Sequence, residues 1–399
     1  MSHPKKLTIA VKDTQISDLK SRLAQTRWPD QLEGVGWEYG SELSYVKELA
    51  EYWQNTFDWR KTEASLNSFA NFEMIVNGIE LHFIHERSSE PDAIPILLSH
   101  GWPGSVFEFH KIIPKLTDPG ANGGKKQAFH VVAPSLPGYG FSSAPNHPGF
   151  GVNQMAKTFD ELMVALGYTS YVAQGGDWGS AITTVLGALH SDHCKAIHIN
   201  LCFAPPNWLN PWHLAQVLNA KLPVANWFPL FITKQEMAWL NSAQEFQNKE
   251  TGYSKIQGTK PQTLGYALND SPVGLMAWIV EKFRTWSDCG GDVESRFSKD
   301  ELLTNISLYW FNANITSSAR LYYETMGPFA KNTFHRGRVK VPTGVANFPK
   351  ELFCAPKAWA ASQYNLKQWS VLPSGGHFAA MEEPELLAED VRKFFAEYH

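Results

Sequence analysis

The sequence predicts an α/β protein in which a mostly parallel sheet carries helices on both faces. Short apolar segments alternate with helix-like segments from residue 94 to residue 201, and this alternation is typical of parallel sheets. Ile94 to Ser99 is almost entirely apolar, as expected of a strand that is buried on both faces. The chain has 399 residues, of which 43% are hydrophobic and 19% charged, so it can bury such a core together with added elements.

A sharp turn is predicted where the strand Tyr171–Gln174 meets a helix-like segment that begins near Ala181. The turn reads Gly175-Gly176-Asp177-Trp178-Gly179. A G-x-nucleophile-x-G turn between strand and helix is the nucleophile elbow of the α/β-hydrolases, here with Asp in place of Ser. Glycines suit positions where such a turn leaves no room for side chains. A carboxylate there could displace a leaving group from an sp³ carbon and become an ester, but an Asp that merely caps the helix fits the pentapeptide equally well.

The N-terminal region is predicted to be helical and to end in a β-hairpin. Apolar residues recur every three to four positions from Gln15 to Leu23 and from Leu43 to Trp53, as in amphipathic helices. Asn77-Gly78 separates the strand-like segments Phe72–Val76 and Ile79–Ile84, and this dipeptide favours a two-residue hairpin turn. We expect the hairpin to begin the sheet.

The later part of the chain indicates a helical insertion in the core. The strand pattern stops after residue 202, and Pro272–Trp286 and Leu302–Phe311 are helix-like. Strands are predicted again at Val345–Phe348 and Ser370–Leu372, and a last helix from Pro384 to Tyr398. We therefore predict an N-terminal extension at 1–90, a first core part at 91–202, a helical lid at 203–333 and a second core part at 334–399.

Charge and cysteine content argue against several classes of protein. A net charge near −4 gives no reason to expect a nucleic acid or an acidic surface as partner. The four cysteines show no C-x-x-C spacing, so we expect free thiols in a reducing compartment. We see no signal-peptide pattern and no apolar run near the ~18 residues of a membrane span. We therefore expect a soluble cytoplasmic protein.

Two further residues complete an acid–base set in the chain order nucleophile, acid, histidine. Glu351 follows a predicted strand, and His377 lies in the glycine-rich loop after the last predicted strand. Alone, either residue would be an ordinary loop side chain. Three matches in order, each at the carboxyl end of a strand, predict a triad of Asp177, Glu351 and His377.

The segment His100-Gly101-Trp102-Pro103 lies in the loop that supplies an oxyanion-hole amide in this kind of fold. The backbone amides of Trp102 and Trp178 are therefore the predicted donors. A plain Gly-Pro turn would also explain the loop, and the sequence leaves open whether the bond before Pro103 is cis.

Motifs along nearly the whole chain match one family. They are Phe57-Asp58-Trp59-Arg60, Leu66-Asn67-Ser68-Phe69, His100–Ser105, Pro134–Tyr139, Gly175–Gly179, Phe348–Glu351 and Gly375–Ala380. With them the chain resembles the microsomal-type epoxide hydrolases, in their soluble bacterial or fungal form. The resemblance implies the α/β-hydrolase fold, an N-terminal domain packed over core and lid, and detoxifying hydrolysis of a small apolar epoxide by water. The animal microsomal members carry an N-terminal membrane anchor, and in this departure from the family we expect no anchor here. The resemblance implies no metal or organic cofactor, and a homodimer is left open.

The resemblance further implies that two lid tyrosines hydrogen-bond the epoxide oxygen. By position in the family's motifs they are Tyr253 and Tyr322, with Tyr323 as an alternative to the latter. A phenol with a pKa near ~10 stays protonated until it donates. In the expected mechanism Asp177 opens the epoxide and becomes an ester, which water activated by His377 then hydrolyses.

Two other functions stay open at this point. A haloalkane dehalogenase also uses an Asp nucleophile and a His base, and the Trp178 N–H could bind halide. The lid tyrosines and the N-terminal extension favour the epoxide hydrolase. A non-catalytic ligand receptor on the same fold would have no need of an acid–base–nucleophile set.

Overall fold

The computed structural model of the chain describes residues 3–118, 120, 126–221, 232–328, 330 and 337–399. Within these residues one sheet forms the centre of the molecule. Its strands are β1 (Lys5–Lys6), β2 (Asn71–Val76), β3 (Ile79–Glu86), β4 (Ile94–Ser99), β5 (Phe129–Pro134), β6 (Tyr171–Gly175), β7 (Cys194–Ile199), β8 (Val339–Asn347) and β9 (Tyr364–Val371). The spatial order is β1-β2-β3-β5-β4-β6-β7-β8-β9.

The sheet is parallel from β5 to β9 and antiparallel at its other edge. The predicted hairpin is confirmed as β2 and β3, and both Asn77 and Gly78 have positive φ, at 50° and 76°. Positive φ at both central residues is what a type I′ turn requires. The short β1, which pairs with β2, was not predicted because Lys5 and Lys6 are too few and too polar to form a pattern.

The chain order reverses at β4, which lies between β5 and β6. In open α/β sheets such a switch point leaves a crevice at the carboxyl ends of the strands. Ser99, the last residue of β4, pairs with Gly175, the last residue of β6. The segment after Ser99 and the turn after Gly175 therefore meet at this edge.

Helices cover both faces of the sheet, as predicted. They are α4 (Ile112–Thr117), α5 (Val152–Ala165), α6 (Asp177–Leu189), α14 (Lys357–Gln363), α15 (Ala379–Glu382) and α16 (Pro384–Phe395). Ile96 and Leu98 pack with α4 and α16, whereas Leu97 packs with α5 and α6 in the other apolar cluster. All three side chains are buried, and this explains the apolar run in β4.

The N-terminal helices and the lid helices form a second layer over the sheet. They are α1 (Asp13–Ala24), α2 (Leu43–Asn55), α3 (Trp59–Leu66), α7 (Pro211–Lys221), α8 (Lys234–Lys249), α9 (Gly252–Gln257), α10 (Pro261–Leu268), α11 (Pro272–Trp286), α12 (Lys299–Phe311) and α13 (Ile315–Met326). Between β7 and β8 the described residues contain no strand, as predicted for a helical insertion. The predicted end of the lid at residue 333 lies outside the described residues.

The N-terminal extension is fastened to α12. The Trp53 indole N–H donates to the Ser307 hydroxyl at 3.1 Å, and the Tyr52 hydroxyl donates to Asp300 at 2.9 Å. From its other side α12 holds the loop after β4, because Asn305 Nδ2 donates to the Pro103 carbonyl oxygen at 2.8 Å. One helix thus joins the extension to the edge where β4 ends.

Several predicted bounds were wrong at the C-terminal part of the sheet. β8 begins at Val339 and β9 at Tyr364, earlier than predicted, because polar side chains interrupt the apolar pattern in these strands. The apolar segment Ala196–Leu201 predicts a strand, and β7 lies two residues earlier, at Cys194–Ile199. The last helix ends at Phe395. Helix α12 begins at Lys299, three residues early, where Ser298 and Glu301 form a capping box. In the part of the chain that is described, no helix has the length and apolar character required to span a bilayer.

Candidate active site

Asp177 occupies a strained turn at the carboxyl end of β6. Its φ is +47°, in the left-handed region that residues with a side chain rarely adopt. A Cβ at Gly179 would overlap the carbonyl of Ser99, and a Cβ at Gly175 would overlap the backbone of Gly179. The close approach of β4 therefore requires Gly179, and the tight turn into α6 requires Gly175. The turn presents Asp177 at the start of α6.

The two carboxylate oxygens of Asp177 have different partners. The backbone N–H of Trp102 donates to Oδ1 at 2.8 Å, and His377 Nε2 lies 3.1 Å from Oδ2. The Asp177 side chain keeps 17% of its surface exposed. One oxygen is thus held by the loop after β4, and the other faces the imidazole.

Glu351 binds the other nitrogen of the same ring. His377 Nδ1 lies 2.6 Å from Glu351 Oε1, which also accepts the Leu352 amide at 2.7 Å. The Glu351 side chain is fully buried and that of His377 is 1% exposed. The two residues follow β8 and β9, whose extensions are joined by a bridge between Lys350 and Gly376. The order Asp177, His377, Glu351 therefore forms one hydrogen-bonded chain.

Two carboxylates determine the charge of His377. Burial lowers the pKa of the ring, but the charge of Glu351 and the hydrogen bonds to Asp177 and Glu351 outweigh it, so the pKa lies well above its ordinary value. With both carboxylates ionised, the imidazole therefore carries a proton at neutral pH.

The loop after β4 is fixed by bonds on several sides. The peptide bond between Trp102 and Pro103 is cis. His100 Nδ1 donates to the Gly101 carbonyl at 3.0 Å, while its Nε2 accepts the Leu136 amide at 3.2 Å. The second predicted donor, the Trp178 amide, lies in the first turn of α6, where helical amides have no acceptor within the helix. Its role as an oxyanion donor stays a prediction.

Tyr253 of α9 and Tyr322 of α13 lie above the turn in an aromatic cluster. The Tyr253 ring stacks on Trp102 at 5.1 Å between centroids, and the Tyr322 ring meets Trp178 edge-on at 4.9 Å. The two tyrosine rings are 5.8 Å apart. The alternative residue, Tyr323, is partly exposed. The lid thus brings two buried phenols to the residues that flank Asp177.

Burial dominates the electrostatics of the two phenols. It raises the pKa of Tyr253 well above its ordinary value, and the charge of Asp177 raises it further. The pKa of Tyr322 is raised by burial, then by Tyr253 and Asp177. A hydrogen bond between the two side chains raises the pKa of Tyr322 further and partly opposes the rise for Tyr253. Both phenols are therefore protonated at neutral pH.

Sequence reasoning missed the contact between the lid and the His377 loop. The carbonyl oxygen of Trp286, the last residue of α11, accepts the His377 amide at 3.0 Å. Asp288 Oδ2 accepts the Gly375 amide at 3.0 Å, and the Asp288 amide donates to Glu382 at 2.7 Å. The residues are far apart in sequence, and no motif signals the contact.

The described residues offer neither a metal-binding cluster nor a disulfide. Across the described ranges no three His, Cys, Asp or Glu side chains are grouped in a way that could hold a metal ion. The four cysteines are buried free thiols. The residues around Asp177 present carboxylate, imidazole, phenol and backbone amide groups.

Known proteins resemble the chain over almost all of its length. Residues 4–109 match the family model "Epoxide hydrolase N terminus", and residues 94–290 match the model of the alpha/beta hydrolase fold. A putative epoxide hydrolase of Stigmatella aurantiaca is 46% identical, over 97% of this chain and 83% of that protein. Epoxide hydrolase 1 of Sus scrofa is 42% identical, over 97% and 87%. The chain belongs to the microsomal-type epoxide hydrolase family.

Solved structures of other epoxide hydrolases extend the likeness to the whole fold. The juvenile hormone epoxide hydrolase of the silkworm Bombyx mori has a TM-score of 0.89 and 34% identity, and the match covers 100% of this chain and 95% of that one. The epoxide hydrolase of Aspergillus niger has a TM-score of 0.85 and 32% identity, with 100% and 97% covered. The predicted α/β-hydrolase fold is thus confirmed, and this epoxide hydrolase family member shares the fold over the full chain.

Proposed function

We propose that the chain hydrolyses small apolar epoxides to vicinal diols through an ester on Asp177. The observation that best supports this mechanism is the position of Asp177, with one oxygen bonded to the Trp102 amide and the other facing His377. A carboxylate held in this way is a nucleophile, and the imidazole beside it can act as a base once the carboxylate has become an ester. The relatives named epoxide hydrolase support the substrate class.

In the first step Oδ2 of Asp177 attacks an epoxide carbon and the ring C–O bond breaks. The negative charge then moves to the epoxide oxygen. Tyr253 and Tyr322 are protonated and buried, so they can donate hydrogen bonds to this oxygen without water. The product is a glycol ester, and Oδ1 stays with the Trp102 amide.

The protonation of His377 fits both steps. The ring carries a proton while Asp177 is ionised, and ester formation removes that negative charge. The pKa of His377 must then fall, so the ring releases its proton to solvent, while the phenols protonate the opened oxygen and regain their protons from solvent. This leaves a neutral imidazole when the second step requires a base.

In the second step His377, oriented by Glu351, takes a proton from water. The resulting hydroxide adds to the ester carbonyl carbon, and the charge on its oxygen is held by the amides of Trp102 and Trp178. The bond to the glycol then breaks and the diol leaves. One proton of the water is on His377 and the other on the diol, so the starting state is restored.

The geometry favours Tyr322 over Tyr323 as the second acid. Tyr322 is buried and contacts the rings of Tyr253, Trp102 and Trp178. Tyr323 is partly exposed. We therefore assign the phenol pair to Tyr253 and Tyr322.

Location and assembly are two further proposals. The four buried free thiols favour a cytoplasmic location, and a homodimer is the assembly to be tested. Light scattering on the purified protein and fractionation of expressing cells test the two proposals.

Product analysis tests the proposed function. Purified protein with styrene oxide should form the diol, and a chloroalkane should release no chloride. Asp177→Ala should form no diol. Chloride release in place of diol would indicate a dehalogenase, and saturable binding without turnover would indicate a receptor.

A further inference from the structure

A small cavity lies beneath the strained turn, close to the triad. Its volume is about 10 Å³, which is near the room that one water molecule needs. Its polar lining comes from Ser99, Glu108, Gln174, Asp177, Asn200 and His377. It therefore borders both the carboxylate that would become an ester and the base that would activate water.

One hydroxyl in this lining has no partner in the described part of the chain. Ser99 Oγ is buried and makes no hydrogen bond with any described residue. Gln174 and Asn200, in contrast, bond to each other at 2.9 Å. A buried hydroxyl without a partner is destabilising, so a water in the cavity would stabilise it.

Glu108 brings a carboxyl group to the same cavity. It lies in a short 3₁₀ helix, Val106–Phe109, whose first turn is capped by Ser105. A Cβ at Gly104 would overlap the Glu108 carboxyl, so the glycine makes room for it. The steps proposed above leave this carboxyl without a role.

We propose that Glu108 is a positioning residue that, with Ser99, holds the hydrolytic water in the cavity beneath Asp177, within reach of His377. This inference rests on the proposed two-step function. The water oxygen forms a bond to Cγ of Asp177, one of its protons goes to His377 Nε2, and the bond between Cγ and the glycol oxygen breaks. Glu108 neither gains nor loses a proton in this scheme.

The protonation state of Glu108 supports such a role. Burial raises its pKa to about 8; the charges of Asp177 and Glu351 add to this, while His377 and the Gly101 amide oppose it. At neutral pH the group is therefore mostly a neutral acid with one donor and one acceptor for water. Above pH 8 its charge would oppose the oxyanion that forms on Asp177.

Two substitutions of Glu108 separate water positioning from packing. Glu108→Met keeps the length but offers no strong hydrogen bond, and hydrolysis of the ester should slow by about 10²-fold, the cost of misplacing a reactant. Formation of the ester should change by less than about 3-fold, so intact-protein mass spectrometry should find the ester accumulating. Glu108→Gln keeps a donor and an acceptor and should hydrolyse at near the parental rate at pH 7. The parent's hydrolysis rate should decline near pH 8, and Glu108→Gln should not show this decline.

Glu301→Gln is the matched control. Glu301 binds His110 and Lys111, the residues that follow the 3₁₀ helix, but it does not line the cavity. This variant should lower the melting temperature and leave the ratio of the two rates unchanged. If Glu108→Met behaves like this control, or slows both steps equally, the proposal is overturned.

A double substitution tests whether Ser99 and Glu108 hold the same water. Ser99→Ala should slow hydrolysis of the ester. In the double variant, the fold-decrease in this rate should be smaller than the product of the fold-decreases in the two single variants. Multiplicative effects would contradict a shared water. If Glu108→Met does not fold, the pH profile of Glu108→Gln decides, and a decline that persists near pH 8 overturns the proposal. A parent enzyme that never forms an ester would instead refute the proposed function itself.

Discussion

The backbone amide of His377 donates a hydrogen bond to the carbonyl oxygen of Trp286 at 3.0 Å. Trp286 ends the lid helix α11, and its indole meets the imidazole edge-on at 5.2 Å between centroids. The proposed base is thus positioned by the lid as well as by the core. Substitutions where the lid meets this loop should affect the step that needs the base.

Asp288 offers a test of that contact. Asp288→Ala removes the acceptor of the Gly375 amide and the partner of Arg296. Because a buried donor is left unpaired, we expect a loss of about 1–3 kcal/mol in the free energy of unfolding. Hydrolysis of the ester should slow more than its formation. Asp292→Ala, which removes the cap of the neighbouring 3₁₀ helix, is the control and should leave that ratio unchanged.

His377→Gln tests the covalent intermediate. Because the base is needed only after the ester has formed, the variant should open the epoxide and stall. Intact-protein mass spectrometry should show the mass of one substrate added, on the peptide that contains Asp177. Asp177→Ala should show no added mass. If His377→Gln stays unmodified after long incubation with an epoxide that the parent turns over, the covalent mechanism is refuted.

Removing the hydroxyls of Tyr253 and Tyr322 should slow the first step, which is formation of the ester. Tyr253→Phe and Tyr322→Phe should each slow ester formation by about 10²-fold or more, and the double variant should nearly abolish it. Phe keeps the ring contacts with Trp102 and Trp178, so stability should change little. Tyr323→Phe is the matched control and should react at the parental rate. Stopped-flow measurement of ester formation checks all four variants, and a double variant as fast as the parent would remove the phenols from the mechanism.

Glu351→Gln should act on the second step. It keeps the size of the side chain but removes the charge that most strongly raises the pKa of His377. The acid limb of the hydrolysis rate should therefore move to lower pH, and the maximum rate should fall because the imidazolium is less stabilised. Pre-steady-state rates across pH measure both effects. A variant in which ester formation alone is slowed would mean that Glu351 is not the partner of the base.

The raised pKa of Glu108 should make the free energy of unfolding depend on pH. Its pKa of about 8 in the folded chain exceeds the value of about 4.3 that an unfolded Glu has. The folded chain therefore binds this proton more tightly, and its contribution to stability is lost as the pH rises from about 4.3 to about 8, by up to about 1.4 kcal/mol per pH unit. Urea unfolding from pH 4 to pH 9 should show this decline. Glu108→Gln should remove that part of it, and an identical slope in both proteins would contradict the assignment.

Local patterns predicted the elements on which the triad depends. Glycines are required at 175 and 179 because backbone atoms approach closely there. The run in β4 is apolar because the strand is buried on both faces. Both constraints act on residues that are neighbours in sequence, so a local pattern reveals them. Glu108 was not predicted, because its surroundings come from Ser99 and His377, which are distant in the chain. The contact between Trp286 and His377 was missed for the same reason. Its acceptor is a backbone carbonyl oxygen, which every residue type has, so the bond does not select a particular residue.

The link from Trp53 to Ser307 has a consequence for how the chain is made. The two residues are 254 positions apart, and Tyr52 and Asp300 are 248 apart. During synthesis from the N-terminus, α2 exists long before the helix that covers it. The apolar face of α2 stays exposed to solvent while most of the chain emerges from the ribosome. Contacts between residues so far apart in sequence also slow folding. We therefore expect newly made chains to depend on chaperones until residue 307 has been added.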